Sequence, residues 1–165
     1  MGSEVLENGL FALKFARSAT LGLVEDIPKD KYCHPLTQGG NHVLWVLGHL
    51  AVVDDEFLHT LGARDKKCPE SWGKMFGTKS RPSARAGDYP AVDAVTAALA
   101  ARREELTAHF RSMSDAELNA PVPDSVGRFG STVASLMSSL AWHEGLHAGQ
   151  ITMIRRALGL GPKFG

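Results

Sequence analysis

Residues 143–150 read HEGLHAGQ, and the fold follows from how this stretch is read. Its first five letters are H-E-x-x-H, which in zinc peptidases places two histidines and a catalytic glutamate on one helix. A peptidase of that kind needs a third ligand downstream. After His147 only AGQITMIRRALGLGPKFG remains, without Asp, Glu or His, and the extended form of the motif meets Gln150 and Met153 where it requires Gly and His. Such an enzyme also needs a sheet edge to hold an extended peptide, and no period-two alternation in the chain marks a strand. The stretch is therefore read as part of a long helix, with His143 and His147 one turn apart on one face.

Working outward, Val133, Leu136, Leu140, Ile151, Ile154 and Leu158 form the apolar stripe of a helix predicted from about Ser131 to Leu158, with Gly159 as its stop. The two histidines stand where that stripe should continue, so they face a protein interior. Three more helices are predicted: from about Glu4 to Asp26, ended by Pro28; from Asn41, as N-cap, to about Leu61; and from Pro90 or Ala91 to Arg111. A short capped turn, Ser114 to Glu117, precedes the last helix. Four long helices without strands predict an all-α four-helix bundle, a single domain spanning residues 1–165. The connection between helices two and three, about 63–89, exceeds an ordinary loop and is long enough to run back along the bundle. That predicts up-down-down-up topology with a long crossover.

Composition narrows the function classes. Eighteen Lys and Arg balance eighteen Asp and Glu, so no overall field draws nucleic acid or an anionic membrane surface, and neither is expected as a partner. The uncharged run from Tyr32 to Val53 is broken by His34, Pro35, Gln38, Gly39, Gly40 and Asn41, which leaves too short an apolar helix to cross a bilayer. Cys33 and Cys68 are too few for a disulfide framework and lie outside any activating constellation, and the N-terminus carries no secretion signal, so a cytoplasmic location is expected.

The third ligand must come from upstream of His143. In helix two, VLGHLAVVDD places His49 in the middle of an apolar run, where a polar ring most needs a partner. Facing helices of a bundle could bring it opposite His143 and His147. His34, His42 and His59 sit at positions suited to solvent or capping, and His109 flanks the stripe of helix three. Two core histidines satisfied by hydrogen bonds are the alternative, but adjacent imidazoles would be left unsatisfied unless something bridges them.

The segments GGNHVLWVLGHLAVVDDEFL, SWGKMFG, SDAEL and HEGLHAGQITMIRRALG resemble the DinB-like metal-binding bundle superfamily over nearly the whole chain. The resemblance implies a four-helix bundle with a long crossover, often dimeric, whose metal ligands fall on His49, His143 and His147. It further implies chemistry on low-molecular-weight thiols in several members, and leaves many members without an assigned activity. Where many relatives carry His or Arg after the last histidine, this chain has Ala148.

Three neutral imidazoles leave a divalent ion an open position, and nitrogen donors suit zinc or nickel, with iron or manganese as further candidates. Such an ion would activate a small thiol for transfer to an electrophile. The alternatives are a metal-dependent hydrolase with Glu144 as general base, or a non-catalytic metal-binding or sensing bundle. Gln150, Asp54 and Glu56 are candidates to support the histidines or meet a ligand. Between residues 64 and 85 seven Lys and Arg face two acids, an excess able to steer an anionic small substrate if the crossover folds over the site. Ala141, Gly145, Ala148, Gly149 and Thr152 form a small-residue face against which either helix one or the second subunit of a homodimer could pack.

Overall fold

The computed structural model describes residues 2–164. Its helices are α1 (Gly2–Val24), α2 (Val43–Thr60), α3 (Glu70–Phe76), α4 (Val92–Ser112), α5 (Asp115–Asn119) and α6 (Ser135–Ala157). Among the described residues no strand forms, only one isolated antiparallel bridge between Pro121 and Thr132. α1, α2, α4 and α6 make the bundle; α3 lies in the crossover and α5 in the last connection.

Two buried apolar clusters fix the helix directions. In one, Leu23 and Val24 near the end of α1 meet Val43 and Leu44 at the start of α2, Val95 and Leu99 early in α4, and Ile151 and Ile154 late in α6. In the other, Leu10 and Leu13 join Phe57 and Leu58, Leu106 and Phe110, and Leu136 and Met137. α1 therefore runs parallel to α6, and α2 parallel to α4 in the opposite sense, which is the up-down-down-up order.

The helix ends differ from expectation at three places. α1 stops at Val24, two residues before Asp26. α6 begins at Ser135, because the chain from Ser131 first bridges back to the α5 connection through Val133 N–H to Ala120 O. The N-cap of α2 is His42, whose Nδ1 accepts from the Trp45 amide at 3.1 Å, and Asn41 is released for a contact described below. Ser114 and Glu117 do form the capping box. Gly62 (φ +75°) and Gly159 (φ +77°) follow α2 and α6 in the left-handed conformation that glycine accepts without strain.

The crossover is ordered and anchored. Asp55, buried, accepts from the amides of Lys67 and Cys68 and pairs with Arg64 at 2.9 Å. Arg64 and Lys67 also pair with Glu105 of α4, and Lys66 with Glu56. Three of the seven cations read between residues 64 and 85 are thus paired with acids of α2 and α4. Further on, Trp72 and Phe76 of α3 are buried against α2, where Gly48 admits the Phe76 ring: a Cβ at position 48 would stand 2.4 Å from it.

Between the two apolar clusters lies a layer of four buried charges, one from each long helix. Arg17 pairs with Asp54 at 3.1 Å and Glu144 at 2.6 Å, and Arg103 pairs with Asp54 at 2.9 Å and Glu144 at 2.8 Å. The guanidiniums also donate to Leu99 O and Leu13 O, so α1 and α4 are tied to each other's backbone. Two cations and two anions cancel, but removing one partner leaves an uncompensated buried charge. Glu144→Ala is expected to lower the unfolding free energy by about 3–5 kcal/mol in urea titrations. An unchanged unfolding free energy in the variant would show that the layer does not depend on its Glu144 carboxylate.

Candidate metal centre

α2 and α6 bring His49, His143 and His147 together, with one nitrogen of each within 4.8 Å of the others. His143 Nε2 stands 3.2 Å from both His49 Nε2 and His147 Nε2. Two rings have their tautomer set from behind. His49 Nδ1 donates to the Phe76 carbonyl at 2.7 Å, and His147 Nδ1 donates to Gln150 Oε1 at 2.9 Å. Asn41 Nδ2 donates to the same Gln150 oxygen at 3.1 Å, which holds that amide in the accepting orientation. A neutral imidazole with its proton on Nδ1 presents a lone pair at Nε2. The Nε2 lone pairs of His49 and His147 thus converge on that of His143, which could donate to only one of them.

Such a cluster is unfavourable unless a cation occupies its centre. The two 3.2 Å spacings agree with a shared ion: tetrahedral zinc bonds of about 2.0–2.1 Å to histidine separate two ligand nitrogens by about 3.3 Å. The trio expected from the sequence is the trio the fold assembles. His34 and His59 are exposed, His42 caps α2 with its Nε2 facing Ser83 O at 3.0 Å, and His109 stands apart on α4.

Burial governs the protonation of the three rings. It pushes His49 and His143 down from 6.5 to about 4, assisted by the positive charge of their neighbours, above all His147. Burial also lowers His147, opposed by the Gln150 hydrogen bond and by Glu144. The rings are therefore neutral and ready to bind a metal well below neutral pH. Trp45 stacks on His49 with ring centroids 4.7 Å apart and planes 8° apart, and its indole N–H donates to Ser80 Oγ at 2.8 Å. The crossover thereby supplies both the carbonyl behind His49 and the anchor for the wall beside it.

Glu144 does not belong to this centre. It has no solvent exposure, and its two oxygens pair with Arg17 and Arg103. A general base must reach the proton it takes, and this carboxylate is turned about 100° round α6 from His143 and held by Arg17 and Arg103, so the expectation of Glu144 as base is withdrawn. Asp54 likewise belongs to the charged layer. Gln150 is in place, as the acceptor for His147. Asn41 was missed by sequence reasoning, because the N-cap role taken by His42 had been given to it. Burial pushes the Cys68 thiol up to about 12 and raises Cys33 as well, which keeps both unreactive.

A cavity of about 270 Å³ opens on His49 and His143. Its walls are Val53, Phe57, Val126, Phe129 and Leu140, and Glu56, Thr60, Thr78, Ser125, Arg128 and Ser139 add polar groups. The arrangement joins a metal-binding end to a mainly apolar slot, the form of a small-molecule site.

The family model of the DinB superfamily matches residues 12–151. Among solved structures the chain is similar to YfiT from Bacillus subtilis, at 17% sequence identity and a TM-score of 0.66, over 94% of this chain and 89% of that one. That protein is described as a probable metal-dependent hydrolase with an unusual four-helix bundle topology. No curated protein sequence matches the chain.

The depressed histidines fix a pH dependence. From the ordinary value of 6.5 down to about 4, the unfolded chain binds protons that the folded site refuses. The stability of metal-free protein is therefore complete above pH 6.5 and falls as the pH drops through this window. Urea midpoints measured across it should show that slope, and His143→Asn should flatten it; an equal slope in the variant would refute the assignment.

Proposed function

The chain belongs to the DinB superfamily, and from that premise, joined to the three converging imidazoles, we propose that it is a zinc or nickel enzyme that activates a small thiol for transfer to an electrophile. The observation carrying the metal reading is the convergence of Nε2 lone pairs whose Nδ1 positions are committed elsewhere. All three ligands are neutral nitrogens, a set that suits zinc or nickel better than iron or manganese.

A divalent ion in the centre would supply the positive charge that ionises a bound thiol or water near neutral pH. The residues around it favour the thiol. Hydrolysis assisted by a general base would need a free carboxylate, and the one nearest in sequence, Glu144, is locked between two arginines. A thiol, with an ordinary pKa of about 8.5, needs no protein base: its proton leaves to solvent through the cavity mouth. The sulfur would then bond to the electrophilic carbon as the bond to the leaving group breaks, the leaving group departing with the electron pair and taking any proton it needs from solvent. The apolar walls Val53, Phe57 and Leu140 orient the reactants and exclude water from the sulfur. Hydrolysis is the second reading, supported by the likeness to YfiT and its description as a probable metal-dependent hydrolase.

Metal analysis of purified protein by elemental mass spectrometry, with His49→Ala and His147→Ala alongside, tests the first step. Native protein should carry close to stoichiometric zinc or nickel and both variants should lose it; a native protein that refuses both metals would refute the reading. Loaded protein is then screened for thiol transfer and ester hydrolysis. Transfer lost in His49→Ala supports the proposal, hydrolysis alone selects the second reading, and neither activity leaves a non-catalytic metal-binding bundle.

The chain is further proposed to act as a cytoplasmic homodimer. Cys33 and Cys68 are free thiols, and no described helix is long and apolar enough to cross a membrane. Gly9 of α1 packs on Met137 of α6, yet Gly145 and Gly149 of α6 remain exposed with nothing within contact distance of a Cβ there. Trp142, Leu146 and Met153 beside them, and Phe11 and Phe15 on α1, are also exposed. A second copy packed across these two parallel helices would cover them. Light scattering should give a dimer for the native chain and a monomer for Trp142→Glu; a native monomer at micromolar concentration would overturn the dimer.

A further inference from the structure

The cavity on His49 and His143 holds one charged group without a partner. Lys66 pairs with Glu56 at its rim at 2.5 Å, whereas Arg128 makes no ion pair among the described residues. Its guanidinium carbon lies 4.6 Å above the Phe129 ring, and Phe129 in turn packs edge-to-face on Phe57, ring centroids 5.7 Å apart. Arg128 is thus stacked at the level of Phe57. His49 and Phe57 are eight residues apart on α2, about 12 Å along the axis. The slot between them is walled by Val53, Phe57, Val126 and Leu140.

We propose that Arg128 is the specificity-determining residue of this site, binding the carboxylate of a small, slender, otherwise apolar substrate whose opposite end reaches the three histidines. A guanidinium placed over an aromatic ring keeps its N–H groups free, and their fork matches a planar carboxylate in two parallel hydrogen bonds. Stacking removes much of the side chain's freedom before the ligand arrives, so less entropy is lost on binding. The apolar walls set the length: the linker between the two ends is a chain of methylene-like groups rather than a polar one. The inference rests on the reading of His49, His143 and His147 as a metal centre that takes up thiols.

The test uses full-length protein loaded with cobalt(II), in which a bound thiolate gives a near-ultraviolet charge-transfer band. Two probes of equal length are titrated, ω-mercaptohexanoate and ω-mercaptohexanol. Native protein should bind the carboxylate probe about tenfold more tightly than the alcohol, and Arg128→Gln should bring the two to within about twofold. The visible cobalt spectrum without thiol should be the same in both proteins, since Arg128 is exposed and makes no contact with the ligands. Equal binding of the two probes by native protein, or a preference that survives in Arg128→Gln, would overturn the role given to Arg128. Absence of the band with both probes would instead refute the thiol reading beneath it.

Discussion

The rotation of α6 about its own axis is the constraint on which the centre depends, and Glu144 sets it. Its side chain lies between Arg17 of α1 and Arg103 of α4, fully buried. With residue 144 pinned on that side, helical geometry turns residues 143 and 147 toward α2. The H-E-x-x-H string therefore has a division of labour unlike that of a peptidase. Its glutamate faces the charged layer and its histidines face His49, on two sides of one helix. Both sides are interior, which only a bundle with helices on each flank provides.

The crossover completes what the helix pairing begins. Up-down-down-up order makes α2 and α4 parallel, so the chain must return the length of the bundle between them, and that return carries α3 past the middle of α2. Gly48 leaves room for Phe76, and the Phe76 carbonyl then orients His49. On the other helix, Gln150 and Asn41 orient His147. Connections enforced by topology thus supply the outer hydrogen bonds that fix which nitrogen of each imidazole points inward.

Legibility in the sequence followed the range of each interaction. The histidine spacing, the apolar stripe of α6 and the capping box at Ser114 are local, and each was readable because helical period and cap chemistry act within a few residues. The length of the crossover betrayed the topology. What could not be read were pairings between distant segments: Arg17 with Glu144, 127 residues apart, or Asn41 with Gln150, 109 apart. Glu144 was misread for that reason, since the string around it suggested a base and nothing nearby announced two arginines. The basic run of the crossover misled in the same way, its neutralising partners Asp55, Glu56 and Glu105 lying on other elements. Asn41 lost its cap to an adjacent histidine, a choice decided by one residue of register.

Charge balance ties the structural layer to the chemistry. Asp54 raises and Arg103 lowers the affinity of His143 for a proton, so the layer imposes opposing rather than cumulative fields on its neighbour. A centre built from three neutral imidazoles, next to a layer whose charges cancel, would leave the charge of a divalent ion uncompensated by the protein. An anionic fourth ligand is then favoured electrostatically over a neutral one, the more so where water is scarce. Had Glu144 pointed into the centre, its carboxylate would have taken up part of that charge and weakened the preference. By committing Glu144 to Arg17 and Arg103, the fold withholds from the histidines a carboxylate that could offset a bound cation, and the open position of such a centre would then favour an anion.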